Sequence, residues 1–443
     1  MKSGTRIIFH IDVNSAFLSW SALERLKKDP SSVDLRTIPS AVGGDVEQRR
    51  GVITAKSIPA KRYGVTTGEP VVKALQKCPD LVLVRSDFTA YRRYSRAFIA
   101  LLREYSDQIQ QISIDEAWLD VTGQAQDERG ASLLADTIRR DIRERLGFTV
   151  NIGISTNKLL AKMASDFEKP DRIHTLFPYE VPEKMWPLPI RDLYGCGGAT
   201  AERLSRIGIR TIGEAAGTDR SILISLLGEK GGTYLYESAN GRGGDLVETK
   251  KREAKSYSNE TTTAHDITSG NFARDAQPVS NRLSDKVASR LLRDGYTASV
   301  ITVSVKTDSF RRHSRQTHLP SPTNDPAQIR EIAWNLLCGL LLGSDDSPGL
   351  FADGNAIRLI GVGASALGRG EFRQISMTEA MRTIDEERAE EKERADSAEK
   401  QRRLVTMQNQ IREKFGDGAI RKGTALRKDG PLRPRYSKDA SQM

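Results

Sequence analysis

The run Ile7-Ile8-Phe9-His10-Ile11-Asp12, followed at once by Val13-Asn14-Ser15-Ala16-Phe17, decides how this chain is read. Residues 6–12 are apolar without alternation, as a strand buried on both faces requires. The strand ends in a carboxylate and turns directly into a helical pattern over 14–28. There Phe17, Leu18, Leu23 and Leu26 recur and Lys27-Lys28 close the last turn. Farther along, Ile112-Ser113-Ile114-Asp115-Glu116 leads into Ala117-Trp118-Leu119-Asp120-Val121 and repeats the theme of an acidic strand tip.

Each acidic site alone has an ordinary reading. Asp12 suits a turn or a helix N-cap, and acidic pairs are common at strand turns. On two strands apolar enough to be central in one sheet, Asp12, Asp115 and Glu116 together suit two divalent cations. That is the requirement of an in-line phosphoryl or nucleotidyl transfer. Nothing basic stands within a few residues of either tip, so cations are the expected source of compensating charge. The helix start at Val13, Asn14, Ser15, Ala16 and Phe17 presents free amides beside the carboxylates, which favours a triphosphate. The Phe17 ring suits either the underside of a nucleotide sugar or the core, and on pattern alone the core is favoured.

At 443 residues the chain exceeds one comfortable hydrophobic core, which implies roughly two to four domains. Net charge is +10, from 68 basic and 58 acidic side chains, and suits a polyanionic partner without naming one. Cys78, Cys196 and Cys338 are odd in number and widely spaced, which excludes a disulfide framework and a thiolate zinc site and fits a reducing cytosol. The five histidines do not cluster. His10, Asp12 and Asn14 interrupt the N-terminal apolar run, so export is not expected. The apolar stretch 334–342 is too short to span a bilayer, and no membrane association is expected.

Helices are expected at 89–106 and at 131–146, the second with Leu134, Ile138, Ile142 and Leu146 in register and a Gly147 C-cap. A strand pair is expected over 109–121, a strand over 148–154 and a helix over 157–167. The resulting order fits a split βαβ sheet with helices on one face, an α+β arrangement. Residues 181–240 read as short helices, and 248–255 as a charged linker. Strand and helix patterns return over 257–365, and 380–443 reads as a solvated helix and tail.

Other motifs carry phosphate chemistry. Lys56 and Lys61-Arg62 lie in Ala55-Lys56-Ser57-Ile58-Pro59-Ala60-Lys61-Arg62-Tyr63-Gly64, and Lys158, Lys162 and Lys169 follow the glycine-bearing strand 152–155. A solvated surface is the default for any of these lysines. Gly195-Cys196-Gly197 reads as the turn of a helix–hairpin–helix, whose amides hold one nucleic-acid phosphate without reading sequence. Arg311, Arg312 and Arg315 end a strand, either tracking a phosphate backbone or decorating a solvated hairpin. Gly241-Arg242-Gly243-Gly244 lacks the strand and helix of a phosphate loop and is set aside.

Taken in order, His10-Ile-Asp-Val-Asn-Ser-Ala-Phe17, Ala55–Gly64, Ser113-Ile-Asp-Glu-Ala-Trp-Leu-Asp120 and Met163-Ala-Ser-Asp-Phe-Glu-Lys-Pro170 resemble the Y-family translesion DNA polymerases, nearest the DNA polymerase IV branch. The resemblance covers residues 6–365. It implies an α+β multidomain right hand with a ferredoxin-like palm, small fingers, a helical helix–hairpin–helix thumb, an α+β little finger and a charged tail. The implied bounds are 1–14 and 76–174 for the palm, 15–75 for the fingers and 175–245 for the thumb. A linker at 246–256, a little finger at 257–365 and a tail at 366–443 follow.

The resemblance further implies template-directed, low-fidelity extension of a primer 3′ end with two Mg²⁺. Asp12, Asp115 and the Val13 backbone would be metal ligands, and Glu116 the third carboxylate that activates the primer hydroxyl. Phe17 matches a steric gate against ribonucleotides, which overturns the core reading from pattern. Lys61 and Lys169 match triphosphate contacts, while Ile58 and Lys61 stand where the family commonly has Tyr and Arg. Ile58 cannot donate to a phosphate, and Lys offers a point charge rather than a fork. Gln374, Ile375 and Met377 lie where the branch carries a sliding-clamp peptide, although the terminal aromatic is missing. Primer-template DNA and deoxynucleoside triphosphates are the implied partners of a monomer. The rivals are a catalytically silent DNA-binding protein of the same fold, and a nucleotide cyclase, which has no use for the hairpin or the basic C-terminal domain.

Overall fold

A computed structural model of the chain describes residues 6–44, 51–250, 253–344 and 347–369, with positions 399, 400, 403, 406, 407, 410, 411 and 414 beyond them. The chain divides into two units between Leu367 and Gly368. In the second unit the described residues from 399 onward are helical, and Arg403 pairs with Glu399 one turn back at 2.8 Å. The peptide at Gln374, Ile375 and Met377 lies outside the described residues.

The first unit begins with β1 (Ile8–Val13), whose six residues are all buried, and α1 (Ala16–Lys28). Next come β2 (Ser40–Gly43), β3 (Ile53–Lys56), α2 (Ile58–Arg62), α3 (Val71–Lys77) and β4 (Val82–Val84). They are followed by α4 (Phe88–Leu102), β5 (Ile109–Gln111), β6 (Glu116–Asp120) and α5 (Glu128–Asp141). A π turn at Ile142–Leu146 extends α5 to Gly147, which takes the left-handed conformation the sequence expects of a C-cap (φ 79°). Then β7 (Val150–Ser155), α6 (Lys158–Ser165) and β8 (Ile173–Thr175) complete the first half.

Strands β5-β6-β1-β7-β8 form one sheet with β1 at its centre, antiparallel to β6 and β7. One face carries Phe9, Ile11, Ala117, Leu119, Ile152 and Ile154 against α4 and α5, together with Trp20 of α1. The other face is covered by α6, so helices lie on both faces rather than on one. The unbroken apolar run of β1 already demanded two covered faces. Gly153 makes the second possible, because a Cβ there would sit 2.0 Å from the Ala161 carbonyl oxygen of α6.

A small sheet, β3-β2-β4, stands beside it. Strand β4 pairs in parallel with β2, so residues 82–84 belong to this sheet although the sequence groups them with the palm. Helix α1, grouped with the fingers, packs Ala16 and Trp20 into the five-stranded sheet's core and Leu18 and Ala22 toward Leu35 and Val42.

Residues 178–247 form a helical layer with α7 (Gly198–Ser205), α8 (Ile212–Gly217) and α9 (Arg220–Ala239). The segment after α9 is not a free linker along its whole length. Val247 packs with Ile8, Trp118 and Ala161, and the Glu248 amide donates to Gln110 at 3.1 Å. The glycines set aside as a phosphate loop have a packing reason, since a Cβ on Gly243 would meet the Leu159 Cβ at 2.6 Å.

The last part contains β9 (Ser256–Ile267), α10 (Phe272–Asp294), β10 (Thr297–Thr307), β11 (Arg312–Thr323) and α11 (Pro326–Leu341). Two short strands, β12 (Gly343–Ser344) and β13 (Ser347–Pro348), precede β14 (Ile357–Gly368). The sheet order is β11-β10-β14-β9, with α10 and α11 over one face around Leu283, Val287, Val303, Ile329 and Leu337.

Candidate active site

The two acidic strand tips meet. Asp12 and Glu116 stand directly opposite one another on β1 and β6, and the Val13 amide donates to the Asp115 carbonyl at 3.0 Å. Asp12 and Asp115 open onto a cleft of about 460 Å³. Its other walls are the chain from Val13 to Ser19, Thr54–Ile58 and Lys61 from the small sheet side, and Thr149, Lys169 and Pro170. Glu116 is close by but does not line it.

Helix α1 starts at this cleft with Ser15 in the left-handed conformation (φ 46°) and no side-chain cap. Its first-turn amides are therefore left for another acceptor. Asn14 is otherwise engaged, donating to Asn151 Oδ1 at 3.0 Å while its own oxygen accepts from Thr149 Oγ1 and the Asp171 amide. Asn151 in turn donates to the carbonyls of Ser165 and Glu168. The network straps the loop carrying Lys169 onto the end of β1. Phe17 is half-buried on the cleft, stacked on Tyr91 with ring centroids 4.7 Å apart and edge-on to Phe88 at 5.8 Å. The ring is thus packed against Tyr91 and also lines the cleft.

The expectation that no base compensates the carboxylates is corrected by the structure. Lys169 pairs with Asp12, and Lys162 with Glu116 at 2.8 Å. Asp166 bridges the two lysines, at 3.2 Å from Lys162 and 2.8 Å from Lys169. These bases lie far along the chain and arrive only when α6 docks on β1 and β7. Their helical spacing was the available signal, since positions 158, 162 and 169 all follow the strand that needs them. Lys158 goes elsewhere, over the Trp118 ring at 5.2 Å and to Gln110.

Burial pushes the Asp12 carboxyl above its ordinary range, partly offset by Lys169 and reinforced by Glu116. Burial also raises Asp115, with Ser113 donating at 2.6 Å in opposition and Asp12 adding repulsion. Burial works against the charge on Lys162 and Lys169, yet their acidic partners outweigh it and hold both ammonium groups above the usual range. His10, behind Asp12, bonds Ser165 Oγ at 2.8 Å and is kept neutral by burial and the two nearby lysines.

The other predicted residues lie apart from the cleft. Gly195 has φ 84°, and a Cβ there would meet the Tyr234 hydroxyl at 2.6 Å and its ring at 2.7 Å, so glycine is strongly favoured; Gly197 precedes α7 in open space. The arginines do not share one face of the sheet. Strand alternation puts Arg312 on the open face, reaching Glu260 at 2.8 Å, whereas Arg315 lies against Gly339 of α11 on the helix-covered side. Arg311 closes the hairpin, its amide bonding Thr307 Oγ1.

With this geometry, a mixed α/β right hand whose palm carries acidic strand tips, the class is a nucleic-acid polymerase. Residues 11–166 match the impB/mucB/samB family, 178–209 the helix–hairpin–helix motif of that family and 254–377 its C-terminal domain. DNA polymerase IV of Clostridium acetobutylicum is 37% identical over 96% of this chain and 99% of its own length. DNA polymerase IV 1 of Bacillus subtilis is 33% identical over 97% and 95%. Among solved structures, a Y-family polymerase chimera of Dbh and Dpo4 superposes with a TM-score of 0.69 at 24% identity, covering 81% of this chain and 98% of that one. The chain belongs to this family, the Y family of DNA polymerases, on its DNA polymerase IV branch. Among the described residues, no helix is long and apolar enough to cross a membrane.

Proposed function

We propose that this polymerase extends primer 3′ ends opposite damaged as well as intact template, at low fidelity, by a two-metal nucleotidyl transfer. The observation that carries the reading is the convergence of Asp12, Asp115, the uncapped start of α1 and Phe17 on one cleft. Family membership supports the choice of DNA and deoxynucleoside triphosphates as substrates. In this reading the palm is residues 1–14 and most of 76–174, the fingers 15–75 together with β4 at 82–84, the thumb 175–245 and the little finger 257–365, with a connection at 246–256 anchored at Val247 and Glu248 and a tail from 366.

The donor set fits a hard divalent cation, with Mg²⁺ the candidate. Asp12, Asp115 and the Val13 backbone offer oxygens, and a cation would relieve the burial and repulsion that raise both carboxyls. Among the described residues, no three His, Cys, Asp or Glu side chains form an ion-holding cluster on their own. Magnesium sites commonly use one or two carboxylates and are completed by phosphates and water. When bound, two such ions neutralise the transferring phosphate and make the primer hydroxyl a better nucleophile.

The chain's own residues do the rest. The first-turn amides of α1, Lys61 and Lys169 hold the triphosphate, which requires Lys169 to exchange Asp12 for phosphate. Glu116, released from Lys162, faces the primer hydroxyl. Phe17 bars a 2′-hydroxyl by occupying its space. Gly195 and Gly197 take a template or primer phosphate through backbone amides, and Arg311, Arg312 and Arg315 serve the duplex from the little finger. Gln374, Ile375 and Met377 dock a sliding clamp, and the enzyme works as a monomer.

Primer extension across a template with one abasic site tests the reading. Wild-type protein extends past the site, and Asp115→Ala loses about a thousandfold or more of turnover on any template. Undiminished extension by Asp115→Ala, or a wild-type protein that stops at every lesion tried, contradicts it.

A further inference from the structure

Four cationic side chains line the cleft, namely Arg36, Lys56, Lys61 and Lys169. Two are already neutralised: Arg36 forks onto Asp34 and reaches the Gly147 carbonyl, and Lys169 pairs with Asp12 and Asp166. Lys56 and Lys61 differ. Among the described residues neither has a carboxylate partner. Among the described residues, the Lys56 ammonium donates to Thr67 Oγ1, at 3.3 Å. Glu69, the nearest acidic influence on Lys56, is taken by Lys77 at 2.6 Å.

Lys56 ends β3 and is half-buried, and Lys61 follows within α2, so the backbone brings two like charges to one wall. Helix α2 caps itself, with Ser57 accepting from the Ala60 amide, and Ile58 lines the same wall without any polar group. An anion entering here finds its charge only in the two ammonium groups. Burial and the neighbouring Lys61 hold the Lys56 ammonium below its ordinary pKa. Two unneutralised cations side by side cost stability unless a polyanion joins them.

We infer that Lys56 is a further phosphate-binding residue, forming with Lys61 a paired-cation seat for the distal phosphates of the incoming nucleoside triphosphate. The inference rests on the polymerase reading for the identity of the nucleotide, but the seat itself requires only a polyphosphate. Asp12, Asp115 and the start of α1 line the same cleft as Lys56 and Lys61, so a triphosphate whose reacting phosphate sits at the carboxylates has the lysine pair available for its distal phosphates.

Two measurements on the full chain separate the possibilities. Calorimetric titration with inorganic tripolyphosphate should show Lys56→Ala and Lys56→Gln weakened about tenfold, with Lys56→Arg within about threefold of wild type. Lys73→Ala, an exposed lysine of α3 outside the cleft, controls for net charge and should bind as wild type. In primer extension, Lys56→Ala should raise the KM for deoxynucleotide about tenfold while kcat changes less than about threefold. Unchanged tripolyphosphate affinity in both Lys56→Ala and Lys56→Gln overturns the seat, as does a loss confined to kcat. A wild-type protein that binds tripolyphosphate through Lys56 yet extends no primer leaves the seat standing and defeats the polymerase reading instead.

Discussion

On the five-stranded sheet, carboxylates sit at strand tips and are met by ammonium groups from the α6 region, with Asp12 and Lys162 side chains only 11% exposed. On the four-stranded sheet, Arg312 crosses an open face to Glu260, and both side chains are about half exposed, at 53% and 46%. The first arrangement fixes geometry, because a buried ion pair works only when its partners are held in place. The second is screened by water and salt and contributes little to stability. One region is therefore suited to chemistry that fails if an atom moves, and the other to holding a polyanion in many registers.

That contrast can be broken in two places. The stronger is Phe17. Replacing it with alanine leaves the carboxylates and DNA contacts intact and opens space on the cleft. Phe17→Ala should reduce discrimination against ribonucleotides by roughly tenfold to a few hundredfold in single-nucleotide insertion, with no dependence on salt. Unaltered sugar discrimination would remove Phe17 from its assigned role.

A smaller effect belongs to the open sheet. Arg312→Ala should weaken primer-template binding a few-fold and lower the salt slope of log K by about one, leaving kcat unchanged. Arg315→Ala should change DNA affinity less than Arg312→Ala does, because its guanidinium lies beside Gly339 of α11 rather than on the open face. Equal losses from the two variants would show that both faces meet DNA and would erase the distinction drawn from strand alternation.

Much of the palm was legible because its signals are local. The unbroken run of β1, the glycine after α5 and the acidic tips each follow from a few adjacent residues. The electrostatics of the site were not legible. Lys162, Asp166 and Lys169 meet Glu116 and Asp12 only through the docking of α6, which depends on Gly153 being small enough to admit it. The second helical layer is implicit in the apolar run of β1, which needs cover on both faces, but the element order alone does not say that α6 supplies it. Period-two alternation within β11 separates Arg312 from Arg315, since strand positions an odd number of residues apart point to opposite faces. Lys56 and Lys61 are legible in the sequence as phosphate candidates, but their lack of a carboxylate partner among the described residues is a property of the folded surroundings.

The central claim is that the acidic strand tips carry nucleotidyl transfer while DNA is held elsewhere. Single-turnover extension of a primer-template by Glu116→Ala, with DNA affinity measured on the same preparation, tests it most directly. The account predicts that the rate falls about a thousandfold or more while the dissociation constant for DNA stays within about twofold of wild type. A variant that extends at the wild-type rate, or one that loses activity only because it no longer binds DNA, would contradict it.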